Sequence, residues 1–526
     1  MALCTLASAG STHTQLASVV PWWRLRRSLS VIPVALLLTC SITVGRPAIQ
    51  DARDDEHLAA KAQRISDLLD VYYDNGQFQG TAIVAVDGEV IFRKSFGLAN
   101  IEWDIPNTPD TKFHIASHGK QFTAAIILRL AEENLLDLQV PISRYIPEFR
   151  KDIADRITIH HLLTHTSGRA RVAPEWEESH YRDPFTLDDA ISLVNKLELE
   201  FEPGARSSYS NLGFNLLAAI VQNVTNQPYE QVLHERILKP LGMHDTGLVK
   251  QGPILKHHAS NYNRLLWGEF VNAPYQDESF AVGAGGLYST VDDMLKWHEG
   301  LFGDQVLTQE SKALMFARHI DSNGYGCAVG AYVKGDGSGP NTLVFGMGGT
   351  SGAASVSFRL VDDRISIILL GNIRQIPQGQ IASNITNILV DIPVNPISVS
   401  SIPAFYSRLM EEDHATVLAD YRVALNSQSR SNVSANERGQ ADFPPQDEIN
   451  QLGYQLLGVG RAEDAIGVFQ FNVAAFPESW NAYDSLGEAY ALADQHSKAI
   501  ESYRKSVELN PANTSGIEAL RWLEAK

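Results

Sequence analysis

At 526 residues, 44% of them hydrophobic and 20% charged, the chain has apolar material for two or three domains with sizeable cores. Its formal charge of −18 excludes a nucleic-acid partner, because phosphate binding needs basic patches. Residues 1–50 hold four arginines and no acidic residue, so the rest carries 39 basic against 61 acidic side chains.

The basic start has a reading of its own. "RLRR" (24–27) precedes the uncharged run "LSVIPVALLLTCSITV" (29–44), long enough for the core of an export signal and short for a membrane span. Residues 1–50 are therefore expected to be a leader, with the mature chain exported to the periplasm or cell envelope. A leader left uncleaved would attach it to a membrane. Beyond the leader the only cysteine is Cys327, so no internal disulfide can form; "GYGCAVG" offers it no base, and it reads as a small strand residue.

Residues 57–75 read as an amphipathic helix with Ala60, Ile65, Leu68, Leu69 and Tyr72 on one side. "TAIVAVDGEVIFRKSFG" (81–97) reads as a β-hairpin turning at Asp87-Gly88. A helical middle follows from about 117 to 310. "TLVFGM" (342–347), "AASVSFRL" (353–360) and "RISIILLGN" (364–372) read as successive antiparallel strands. Strands at both ends of a helical centre predict one sheet built from distant pieces, with a helical insert.

After Pro396 the composition changes, and "NSQSRSNVSANERGQADFPPQ" (426–446) has the polarity of a linker. Beyond it the chain repeats at an offset of 34: Leu452-Gly453 with Leu486-Gly487, Ala465-Ile466 with Ala499-Ile500, Phe469 with Tyr503, Pro477 with Pro511. This spacing resembles tetratricopeptide repeats, each a helical hairpin. Two repeats are too few to stand alone, so 404–426 is expected to pack beside them, with 517–526 as a cap.

"FHIASHGKQF" (113–122) places Ser117 three residues before Lys120. On this motif alone the plainer reading is a helix N-cap serine with a solvent-facing lysine. The spacing nevertheless puts both on one helix face, where a desolvated amine could accept the serine proton. Two further stretches add to it. Tyr209-Ser210-Asn211 precedes an apolar helix and offers a second proton carrier and an amide. "FGMGGTSGAAS" (345–355) is a glycine-rich strand on which a substrate could approach the backbone N–H groups of Gly348, Gly349 and Thr350. Taken singly, these remain a turn and a bulged strand.

In order, the set resembles the serine β-lactamase-related superfamily of penicillin-binding DD-peptidases, class C β-lactamases, esterases and D-aminopeptidases. The likeness spans about 60–390 and includes "ITIHHLLTHTSG" (157–168), "FEPGARSSYSNLGF" (201–214), "LKPLGMHDTG" (238–247) and "AGGLYSTVDDMLKW" (284–297). It implies an α/β domain at 57–395, an antiparallel sheet flanked by helices with a helical subdomain. A helical segment and linker (396–446) and an all-α repeat module (447–526) would follow. It also implies Ser117 as acylated nucleophile, Lys120 as its proton acceptor, Tyr209 as partner base and acid, and Asn211 as a substrate-amide contact. The oxyanion hole would use the N–H groups of Ser117 and Gly349, with no metal and no cofactor. His160, His161 and His165 are structural in this reading.

One departure stands out. Where these enzymes open the third motif with lysine or histidine, this chain has Gly346. The expected activity is hydrolysis of a small-molecule or peptide ester or amide, with poor turnover of β-lactams unless a distant Arg318 or His319 supplies the charge. The rival expectation is a catalytically weak penicillin-binding scaffold that binds a protein partner through the repeats.

Overall fold

The computed structural model describes residues 48–168, 180–428 and 443–525. The leader reading (24–44) and most of the polar linker lie outside them. The chain divides into Met1–Arg53 and Asp54–Lys526, and the second unit holds the sheets, the site and every helix below except the first turns of the first one.

The first helix runs Ala48–Asp74. Ile65, Leu68, Leu69 and Tyr72 are buried as their spacing predicts, but Ala60 is exposed. Lys61, one turn before Ile65, takes the apolar stripe instead. Its stem is buried while its amine donates to Leu389 O (2.6 Å) and Asp391 (2.9 Å).

Gly80–Val86 and Glu89–Phe96 form the hairpin, and Asp87 (φ 52°) and Gly88 (φ 84°) supply the two positive φ angles of a tight primed turn. Ala328–Tyr332, Asn341–Thr350, Ala353–Leu360 and Ile365–Gly371 follow one another as an antiparallel meander. The last of these pairs with Gly80–Val86 from Gly80↔Gly371 to Val86↔Ile365, which closes one six-stranded sheet from the two distant pieces.

Side-chain alternation then divides the core. Ala82, Val84, Ile367 and Leu369 face the first helix and Gln378–Leu389. Ile83, Ala85, Ile368 and Leu370 face the helical side, with Lys120–Glu132 and Val291–Phe302. Both faces are covered, so the central strands read as unbroken apolar runs.

The middle is less uniformly helical than its pattern predicts. Phe113-His114, Leu287–Ser289 and Gly247-Leu248 form a small sheet, and Tyr262–Arg264 pairs with Phe270–Asn272. Strands of two or three residues are too short to show alternation.

Helices Gln446–Gly458 and Trp480–Leu492 start 34 residues apart, as do their partners Ala462–Ala475 and His496–Leu509. The repeated glycine and aromatic are one contact: a Cβ on Gly453 would lie 2.4 Å from the Phe469 ring, and one on Gly487 3.0 Å from Tyr503. Ile402, Phe405, Val417 and Tyr421, from Ile402–Glu411 and His414–Gln428, share this core with Leu452 and Phe469. Leu266 and Trp267, between the strands of the Tyr262–Asn272 hairpin, join it. Leu266 N–H donates to Gln455 Oε1 (2.7 Å), and Trp267 packs on Tyr406 at 5.6 Å.

Candidate active site

Ser117 lies in the 3₁₀ turn Ala116–Gly119, which leads straight into Lys120–Glu132. It is not an N-cap, and neither helical segment has a side-chain cap at this point. Ala116 just before it has φ 47°, a left-handed conformation that costs a non-glycine residue about 1–2 kcal/mol. The turn is thus held by its surroundings rather than by local preference.

Lys120 does not face solvent; it is 2% exposed. Its Nζ lies 3.1 Å from Ser117 Oγ, and it donates to Asn211 Oδ1 (2.8 Å) and Ala284 O (2.6 Å). The amine also sits 4.8 Å from the centre of the Tyr209 ring. Burial holds its pKa well below the ordinary lysine value of 10.5. A neutral amine has two N–H donors, enough for the two carbonyl oxygens, and its lone pair is left for the serine proton.

Tyr209 Oη is 2.6 Å from Ser117 Oγ. Two local devices place it. Ser210 caps Asn211–Thr225 by accepting from Gly213 N–H (3.0 Å), which sets Asn211 at the first helical position. His165 accepts from Ser210 N–H through Nδ1 (3.1 Å), and its ring lies 4.6 Å from that of Tyr209. Burial pushes His165 down to about 3, so it acts as a neutral acceptor. His165 is a positioning contact that the sequence reading placed among structural residues without locating it at the site.

A cavity of about 390 Å³ is lined by Ser117, Asn211, Gly349 and Thr350, together with Glu278 and Arg374. The Thr350 hydroxyl donates to Glu278 Oε1 (2.9 Å). Gly348 has a different place from the one expected: it is not on the cavity wall. A Cβ there would meet Ile115 O at 2.2 Å, so its bare backbone lets the strand approach the nucleophile turn.

Gly346 leaves no spare room. A Cβ there would stand 2.6 Å from Gln121 Nε2 and 2.9 Å from His118 Nε2. His118 fills the space, bonded to Ser357 Oγ (2.6 Å), which also bonds His298 (2.9 Å); burial lowers His118 to about 4. Arg318 and His319 do not supply the missing charge. Arg318 donates to Asp321 O, and His319 stacks on Tyr325. Among the described residues, the cation that lines the cavity is Arg374, in the loop after Ile365–Gly371, and no motif marks it in the sequence. Cys327 is no nucleophile, since burial pushes its thiol up to about 12.

A serine between a buried lysine and a tyrosine, beside an antiparallel sheet with a helical subdomain, defines the β-lactamase and penicillin-binding protein class. The Beta-lactamase family model matches residues 62–386, and the chain belongs to that family. It is 32% identical over 292 residues to Esterase EstB of Burkholderia gladioli, across 49% of this chain and 72% of that one. It is 28% identical over 290 residues to the D-alanyl-D-alanine-carboxypeptidase/endopeptidase AmpH of Escherichia coli, across 54% and 72%. The octameric penicillin-binding protein homologue of Pyrococcus abyssi shares the fold, with a TM-score of 0.56 and 24% identity over 66% of this chain and 80% of that one.

Proposed function

We propose that the chain is an exported serine hydrolase that cleaves an ester, amide or peptide through a Ser117 acyl-enzyme. The observation that carries this reading is the 3.1 Å separation of Ser117 Oγ from the Nζ of a lysine whose pKa burial lowers well below the ordinary 10.5. Neutral Lys120 takes the serine proton as Oγ attacks the substrate carbonyl, and Tyr209 protonates the leaving group. Backbone N–H groups of Ser117 and Gly349 receive the oxyanion, and Asn211, already fixed by Lys120, offers its amide to the substrate. Water then attacks the ester, with the lysine–tyrosine pair as base. The names of the relatives, an esterase and a carboxypeptidase/endopeptidase, support this reaction class.

β-Lactams are proposed to be poor substrates, because Asn341–Thr350, the strand whose Gly349 and Thr350 line the cavity, carries no lysine or histidine. Loss of one charge-assisted hydrogen bond is worth roughly 1.5–3 kcal/mol, or one to two powers of ten. In a screen of the full chain, p-nitrophenyl acetate should therefore be turned over and nitrocefin hydrolysed far more slowly. Efficient nitrocefin turnover would overturn this argument.

The helical region is proposed to be a tetratricopeptide-type module for a protein partner, supported by the 34-residue recurrence of its hairpins. Export to the periplasm or envelope rests on the leader sequence. A chain stopped near residue 398 should fold and keep its ester activity, as judged by thermal melting and p-nitrophenyl acetate assay. An insoluble or inactive product would make the helices part of the catalytic core.

A further inference from the structure

We propose that His118, the residue after the nucleophile, is a positioning residue: a one-way line of buried hydrogen bonds from Arg359 through His298 and His118 to Ile115 O holds the turn that presents Ser117. The inference rests on the hydrolase reading and names what fixes its nucleophile.

A strand covered on both faces is expected to be apolar throughout. Ala353–Leu360 is buried at every position, yet it carries Ser355, Ser357 and Arg359 on one face. That face meets His118 from the nucleophile turn and His298 from Val291–Phe302. Ser366, the cross-strand partner of Arg359, completes the set. None of these residues is more than 4% exposed.

The direction of the line follows from its ends. Ile115 O can only accept, so Ser355 Oγ donates to it (2.7 Å). With its one proton spent, Ser355 accepts from His118 Nδ1 (3.3 Å). Burial lowers His118 to about 4, so the ring is neutral and its Nε2 accepts from Ser357 Oγ (2.6 Å). Ser357 in turn accepts from His298 Nε2 (2.9 Å). Burial, and next the charge of Arg359, hold His298 well below the ordinary 6.5, so its Nδ1 accepts from Ser366 Oγ (3.1 Å). Ser366 accepts from Arg359 Nη1 (2.6 Å), which can only donate and which Glu299 pairs at 2.6 Å. Both tautomers are thereby set, with the proton on Nδ1 of His118 and on Nε2 of His298. Donors that all point one way polarise each other, and the line resists rearrangement.

Its last acceptor is the carbonyl that closes the nucleophile turn, since His118 N–H also donates to Ile115 O (3.2 Å). The next residue, Ala116, is the one held at φ 47°, a conformation that persists only where the surroundings enforce it. Ser355 and His118 grip that turn from the sheet.

The test uses the full chain and two variants, Ser357→Ala and Ser366→Ala, each of which removes one hydroxyl and leaves both rings in place. Long-range ¹⁵N spectra of histidine-labelled wild type should show the Nδ1–H tautomer for His118 and the Nε2–H tautomer for His298, with His118→Asn and His298→Asn giving the assignments. The opposite tautomer at either ring overturns the proposal. On p-nitrophenyl acetate, kcat per fluorophosphonate-titrated site should fall about tenfold or more in both variants with KM within about twofold, because a displaced nucleophile reacts slowly without binding less. Wild-type kcat in either variant, or a loss carried by KM, overturns it.

A measurement that needs no turnover separates this from failure of the hydrolase reading. In Ser357→Ala the backbone N–H of His118 should exchange with solvent about tenfold faster than in wild type, as the turn loosens. Unchanged exchange overturns the positioning role even if esters are cleaved. If no ester is cleaved and Ser117 is not labelled, but the tautomers and the exchange are as expected, the reaction is wrong and the line still holds the turn.

Discussion

Ser117→Ala is expected to lower kcat on any accepted ester by about 10⁴-fold or more, the order lost when a nucleophile that works as a unit with its base is removed. The basis is structural. Ser117 Oγ is the meeting point of Tyr209 Oη at 2.6 Å and Lys120 Nζ at 3.1 Å. It is presented by a turn whose Ala116 is held at φ 47°. The turn is fixed by backbone contacts that alanine leaves intact, so the variant should melt near the wild-type temperature. Intact mass after fluorophosphonate treatment provides the direct check. Wild type should gain one adduct and Ser117→Ala none; an adduct on the variant would place the nucleophile elsewhere.

Replacement of Lys120 should cost about 10²-fold or more in acylation, the usual worth of a positioned base. Methionine is the informative substitute, because it fills the buried volume without a proton to lose. The sign of its effect on stability can be worked out. Burial keeps the folded-state pKa of Lys120 well below the ordinary 10.5, so between the two values the unfolded chain binds the extra proton. Wild-type stability should therefore rise with pH across that window, up to the unfolded value. Lys120→Met removes this contribution and should flatten the rise, while leaving Asn211 Oδ1 and Ala284 O without their donor. In wild type, kcat/KM should fall as pH drops through the lowered lysine pKa. An acidic limb that persists unchanged in Lys120→Met would assign that titration to another group.

Much of the fold could be read because its signals are local. The Asp87-Gly88 turn between alternating arms, the three late strands and the Ser117–Lys120 spacing each lie within a few residues. The joining of Gly80–Val86 to Ile365–Gly371 could only be inferred in outline, since pairing across almost 300 residues leaves no local trace. Ala60 was misplaced because a small apolar residue near the stripe outweighed Lys61, whose charge finds a carbonyl and a carboxylate only in the folded chain. Arg374 and His165 were illegible for the same reason. Nothing in "GNIRQ" says that its arginine will lie across a glycine of another strand. The role of Gly346 was half legible: its lack of charge is in the sequence, but the histidine that closes the space is visible only in three dimensions.

The interlock of Gly346 with His118 and Gln121 bears on what a change at this position does. A side chain at 346 has to displace a ring nitrogen 2.9 Å away and an amide 2.6 Å away. A larger side chain there therefore needs His118 and Gln121 to shift. A shift at His118, one residue from the nucleophile, loosens its bond to Ser357. The glycine thus works as a keystone behind the nucleophile: added volume at 346 is passed to His118, the chain neighbour of Ser117.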